Sequence, residues 1–210
     1  MKKKVLAGLA VGVMMFGVAV VASATEFDFD GTMQYHNDVL MFNFTTTASC
    51  NVTLFSSSWD DGGFDPMLGL WDSNGELITW QDDGGIEGLT SSNGVSYTYG
   101  DWDSFFTAPV GAGNFFVSLT TFDNRPNGNN LSNGFAYDND VPESFYVPGS
   151  LTTSWYQRNS GYRTGDFEFH ILNASTATIN DPNAPVPEPA TMLLIGTGIA
   201  GLVGARRKKK

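Results

Sequence analysis

Cysteine occurs once in the 210 residues, at Cys50, so no disulfide can form within the chain and the fold must hold without one. Lysine is missing from residues 25–183, where Arg125, Arg158 and Arg163 face 21 Asp and Glu, a formal charge of −18. Such a surface repels phosphate backbones and anionic lipid, which excludes nucleic acid as a partner, and it attracts divalent cations. The same acidity also suits solubility outside a cell. Histidine is nearly as scarce, at His36 and His170. No serine lies in a Gly-x-Ser-x-Gly elbow, and the strand–helix alternation that such an elbow needs is missing. The expectation is a protein that is not an enzyme. In Glu168-Phe169-His170 the two polar residues alternate onto one strand face, which is predicted to be a solvent-facing polar pair.

Helical periodicity is also absent between residues 25 and 183. Short alternating runs rich in Phe, Tyr, Val and Thr recur there between clusters of Gly, Asn and Asp, the pattern of an all-β sandwich. Strands are predicted at Thr32–Tyr35, at Val39–Thr45 with Leu40, Phe42 and Phe44 inward, and at Ser49–Phe55. In the last of these Cys50, Val52 and Leu54 share a face, so Cys50 reads as a small buried hydrophobe. Pro66 has no amide donor and belongs at a strand start or edge. Asp72-Ser73-Asn74-Gly75 is predicted to be a tight turn into a return strand over Glu76–Gln81.

The two ends carry the cations. Lys2, Lys3 and Lys4 precede an apolar run from Val5 to Val21, and Ala22-Ser23-Ala24 supplies small residues for signal-peptidase cleavage after Ala24. At the other end, Pro187-Glu188-Pro189 precedes 16 uncharged residues, Ala190–Ala205, and the block Arg206, Arg207, Lys208, Lys209, Lys210. A helix of that length reaches ~24 Å, short of the ~30 Å hydrocarbon core, so it makes a marginal span. The cations would hold its end in the cytoplasm. Hydropathy alone reads this as a single-pass anchor. The order of Pro-Glu-Pro, short apolar segment and basic terminus resembles the PEP-CTERM sorting signal of exosortase-processed bacterial surface proteins. The resemblance implies that an exosortase recognises residues 184–210, cuts near them and passes the upstream domain to the cell surface, outer envelope or extracellular matrix.

Residues 64–85, from Phe64-Asp65-Pro66 through Asn74-Gly75 to Asp82-Asp83-Gly84-Gly85, are similar to a hairpin of pre-peptidase C-terminal (PPC) domains. Phe105–Leu119 resembles the next hairpin of that family and Gly165–Ile171 its last strand. The resemblance implies a jelly-roll-like β-sandwich over residues 25–183, flanked by a signal-peptide helix at 1–24 and a transmembrane helix at 190–205. Two insertions depart from the family pattern, Ile86 to about Trp102 and Asp123 to about Thr164, and the longer one keeps Phe135, Tyr137, Phe145, Tyr146, Trp155 and Tyr156. Loops beyond ~12–15 residues are usually functional or disordered, and this one is too aromatic for a plain linker.

Asp72–Glu76 imitates half of an EF-hand loop, with Asp83 at the twelfth position, but Leu77 stands where the loop needs glycine. A looser candidate calcium site remains, in which Asp60, Asp61, Asp65, Asp82 and Asp83 flank neighbouring strand ends. Trp59, Trp80, Trp102, Trp155 and Tyr156 are candidate platforms for stacking on sugars. The chain therefore reads as a secreted structural or adhesive component of the envelope or matrix. The alternative is a calcium-dependent carbohydrate-binding module displayed in the same place, with extracellular polysaccharide as its partner.

Overall fold

The computed structural model describes residues 25–180, apart from Ile86, Asn93, 151–153 and 158–160. The helices expected at 1–24 and 190–205, and the cleavage and sorting residues with them, lie outside the described residues. Within the described residues no helix is long and apolar enough to cross a membrane, and the one helical piece is a 3-10 turn at Leu131–Asn133. All else that is regular is β.

The strands are β1 (Glu26–Thr32), β2 (Leu40–Thr46), β3 (Cys50–Ser56), β4 (Pro66–Trp71), β5 (Leu77–Gln81), β6 (Gly88–Ser92), β7 (Val95–Tyr99), β8 (Phe105–Val110), β9 (Gly113–Thr121), β10 (Asp166–Leu172) and β11 (Thr176–Asn180). One sheet has the order β1-β10-β3-β8, the other β11-β2-β9-β4-β5, and β6-β7 forms a separate hairpin. Every strand pairing is antiparallel.

Alternation builds the core, as expected of strands with one buried face. Phe42 and Phe44 from β2, Val52 and Leu54 from β3, and Val117 and Leu119 from β9 are fully buried between the sheets. They meet Phe169 and Ile171 from β10, with the Phe42 and Phe169 rings 4.6 Å apart. Side chains of this size each contribute about 1.5–3 kcal/mol when removed from water. Cys50 is half-buried at the edge of this cluster. Pro66 opens β4, where its missing donor costs no ladder hydrogen bond. Gly75, at φ +77°, turns β4 into β5, and its amide donates to the Asp72 carbonyl at 3.0 Å.

The first strand differs from the prediction. It covers Glu26–Thr32 and pairs with β10 from Glu26↔Leu172 to Thr32↔Asp166, whereas Tyr35 makes only an isolated bridge to Ser144. Phe27 and Phe29 pack on the core while Asp28 and Asp30 point away from it. This is a period of two masked by its acidity.

Both insertions fold onto the sandwich. The first contains the β6-β7 hairpin, which lies over the outer face of the β1-β10-β3-β8 sheet. There Phe55 is buried against Tyr97, Phe105 and the His170 ring, the last at 4.4 Å. The Tyr97 hydroxyl donates to Glu26 Oε2 at 3.0 Å, tying the hairpin to β1. His170 is therefore 7% exposed, and the solvent-facing position predicted for it is corrected by this cover. The second insertion straps the other sheet. Leu77 N–H donates to Asn129 O at 2.9 Å, Leu131 N–H donates to Gly75 O at 2.7 Å, and Phe135 stands edge-on to buried Trp71. Phe145 then reaches the core beside Phe64, 5.1 Å between rings.

Candidate metal centre

Asp65 precedes Pro66, so its backbone is held extended as the chain enters β4. Asp82 and Asp83 leave the end of β5. Because β4 and β5 are antiparallel, with Leu68 opposite Gln81, the start of one strand and the end of the other adjoin. The Asn74-Gly75 turn thus brings together carboxylates that are far apart in sequence. One oxygen from each of Asp65, Asp82 and Asp83 lies within 4.8 Å of the others. In each residue Oδ1 is buried without a hydrogen-bond partner, and Asp65 as a whole is 1% exposed. Among the described residues no Lys, Arg or His comes within ion-pair distance of the three.

Three like charges in a partly dry place disfavour ionisation. Burial, followed by the charges of Asp82, Asp83 and Asp103, pushes the Asp65 carboxyl up to about 8, against a smaller pull from Arg163. Burial and the Asp83 and Asp123 carboxylates push Asp82 up to about 6, and Arg125 opposes them. Burial raises Asp83 as well. Carbonyl oxygens crowd the same strand ends. The Ser104 hydroxyl lies 2.7 Å from Pro66 O and 3.1 Å from Gln81 O, and also contacts Asp82 O. One hydroxyl hydrogen serves only one of these acceptors fully. The donor set is all oxygen, which suits a hard cation.

Of the five acids named from sequence, the structure brings these three together. Asp60 and Asp61 are exposed on the turn before Gly62 and are not in the cluster. Asp72 is occupied elsewhere: its Oδ1 accepts the amides of Asn74 and Glu76, both at 2.8 Å. These bonds, Glu76 first, hold its carboxyl below the usual range. Asp103, which sequence reasoning passed over, is buried behind the centre. It accepts from Gly100 N and Ser56 Oγ, both at 2.8 Å, and burial raises its carboxyl.

Both ends of the second insertion meet the centre. Asp65 O accepts from Phe122 N at 2.7 Å, and Asp65 N donates to Oε1 of buried Gln157 at 3.1 Å. Arg163 stacks on Trp59, 3.7 Å from guanidinium carbon to ring centre, and donates to Gly63 O at 2.7 Å and to Trp59 O.

A second polar group lies under the β6-β7 hairpin. His170 Nδ1 is 2.7 Å from Asp28 Oδ1, and Nε2 is 2.8 Å from Ser57 Oγ, which lies 2.8 Å from Glu168 Oε2. Ser57 has one hydroxyl hydrogen. That hydrogen can go to Glu168 Oε2 or to His170 Nε2, but not to both at once. The Ser57 amide donates to Glu168 O at 3.2 Å, so it is not free to stabilise an oxyanion.

The platform aromatics are dispersed. Trp59 and Trp102 pack 5.7 Å apart beside Arg163, Trp80 is half-exposed on β5, and Trp155 stacks on His36 at 5.3 Å. Tyr156 and Tyr162 are 60% and 57% exposed and meet edge to face at 5.2 Å. Beside them is a cleft of about 370 Å³ lined by His36, Tyr137, Asp140, Glu143, Trp155 and Tyr156, among others.

Outside the described residues, a family model for the PEP-CTERM protein-sorting motif matches residues 185–208. The tail is a PEP-CTERM sorting motif. The match covers Pro187-Glu188-Pro189, the apolar span and the basic block as far as Lys208. The PEP-CTERM tail marks the chain for exosortase-dependent sorting, with export and processing at the membrane. No curated protein matches the chain.

Proposed function

We propose that the chain is an exported, non-catalytic building block of the cell surface or extracellular matrix, with a structural or adhesive role and a PPC-type sandwich as its passenger domain. The PEP-CTERM motif at 185–208 supports the exported, exosortase-sorted part of this reading. Signal peptidase cuts after Ala24, and exosortase then releases the passenger from residues 190–205. A body without lysine, held in a sandwich and wrapped by two folded insertions, suits a durable displayed module. The Ser57–His170 group supports the non-catalytic role, because the Ser57 amide is engaged with Glu168 O and offers no oxyanion donor.

A second reading is favoured by the exposed Tyr156 and Tyr162 rings and the neighbouring cleft: a sugar-binding module displayed in the same place. Aromatic faces flanked by carboxylate acceptors suit stacking on a sugar ring and hydrogen bonding to its hydroxyls. Mass spectrometry of the protein from cells and from medium tests the main proposal. It predicts a mature N-terminus at Thr25 and loss of Arg206–Lys210; a mature protein that keeps Arg206–Lys210 refutes it. Affinity electrophoresis in matrix polysaccharides tests the second reading, which fails if migration is not retarded in any gel.

A further inference from the structure

We propose that Asp65, Asp82 and Asp83 bind one calcium ion, and that this ion fastens both ends of the 123–164 insertion to the sandwich. The inference stands apart from the sorting and sugar-binding proposals, since it rests only on groups at the β4–β5 strand ends.

A cluster of acids alone does not make a site. Here one member, Asp65, is 1% exposed, one of its carboxylate oxygens lies within the cluster, and its Oδ1 is buried with no hydrogen-bond partner. A buried carboxylate oxygen left unpaired is costly, and native folds usually satisfy such groups with protein, water or an ion. Asp82 Oδ1 and Asp83 Oδ1 are likewise buried without a partner, so each of the three clustered residues carries an unmet acceptor.

Among the described residues, the arginines do not meet this demand. Arg125 pairs with Asp123 at 3.4 Å, and Arg163 spends its donors on backbone carbonyls. A divalent cation would neutralise most of the charge at once. Calcium fits better than magnesium, because carboxylates from two chain segments offer irregular, mono- or bidentate oxygens at a strand end. Magnesium requires near-ideal octahedral geometry and gives up its water reluctantly. Zinc and other borderline metals would look for His or Cys, and neither is in the group.

The effect on the insertion follows from the neighbours of Asp65. Its carbonyl takes the amide of Phe122, where β9 leads into the insertion, and its amide is held by Gln157 near the far end. Fixing Asp65 therefore fixes both ends. Without the ion, the three buried carboxylate oxygens stay unsatisfied beneath the two contacts.

The test uses the mature protein recovered from the cell surface, with calorimetric titration of CaCl2 and thermal melts in EDTA, in 1 mM CaCl2 and in 1 mM MgCl2. At a Kd near 10 μM, 1 mM calcium is predicted to raise Tm by about 5–10 °C. Magnesium should give less than half of that. Calcium should also slow proteolytic cleavage within 123–164. The Asp82→Asn/Asp83→Asn variant should bind calcium at least about 30-fold more weakly. Superimposed melts in EDTA and calcium, an equal response to magnesium, or an unchanged calcium affinity in the double variant would each overturn the proposal. If the double variant does not fold, the wild-type melts and the cleavage pattern still decide the matter.

Discussion

Replacing Asp65 by asparagine should make the calcium-free protein more stable, and more so as pH rises. The Asp65 carboxyl sits at about 8 in the folded chain, against an ordinary value of 3.8. Between those limits the folded state holds a proton that the unfolded chain has released. Stability therefore falls with rising pH across this window, by about 1.4 kcal/mol per pH unit, and levels off above pH 8. Asparagine is nearly isosteric and takes up no proton, so it escapes the penalty. At pH 7.5 the ceiling on its advantage is about 5 kcal/mol, and relaxation and water entry reduce this to about 2–3 kcal/mol. For a domain of this size that is a Tm difference of about 5–10 °C. The assay is a set of thermal melts in EDTA from pH 5 to pH 8, wild type beside Asp65→Asn. At pH 5 the variant should lead by only about a third of its advantage at pH 7.5, and the gap should widen steadily up to pH 8. In calcium the order should reverse, because the variant has lost an anionic ligand. Parallel curves across the whole pH range in EDTA would refute the reasoning.

Other perturbations separate packing from display. Phe42→Ala empties the contact between β2 and β10 and should cost about 3–5 kcal/mol in a denaturant melt, without altering calcium affinity. Gly69→Ala sets a methyl 2.6 Å from Ser118 Oγ and 3.0 Å from Trp71 Nε1, and should destabilise by about 1–3 kcal/mol on the same measurement. Tyr156→Ala and Tyr162→Ala remove exposed rings and should leave Tm within about 2 °C of wild type. If the sugar-binding reading holds, they abolish retardation in a polysaccharide gel that slows the wild type.

Where side chains alternate without interruption, the fold was legible in the sequence. Phe42 and Phe44, Val52 and Leu54, and Pro66 at the start of β4 all occupy the positions that their spacing predicted. β1 was placed too late, because Asp28 and Asp30 gave an apolar alternation the look of an acidic linker. The β6-β7 hairpin falls inside the insertion expected from Ile86 to about Trp102. Gly88, Thr90 and Ser92 hold inward positions of β6 while Leu89 and Val95 face out, and what the hairpin covers, Phe55, lies more than 30 residues away in sequence. The acidic centre was half legible. Asp-Pro before a strand and Asp-Asp after its partner showed that carboxylates would gather, but choosing Asp65, Asp82 and Asp83 over Asp60 and Asp61 required the register of β4 against β5. Ser57 and Asp28 were invisible as partners of His170, because each comes from a different strand or loop and only the sheet order β1-β10-β3 joins them.

The strand β11 has a mechanical consequence. It is the edge of its sheet, five residues long, and among the described residues it pairs only with β2, from Thr176↔Thr45 to Asn180↔Met41. It is also the last described element before the sorting tail. A passenger fixed to a surface through that end would take every tug from flow or from a neighbouring cell on this one strand. Pulled along its axis, β11 would resist by shearing all its rungs together; pulled sideways, it would peel from Asn180 one rung at a time. The angle at which the attachment leaves the sheet would thus set how hard the module can be pulled before it begins to unravel.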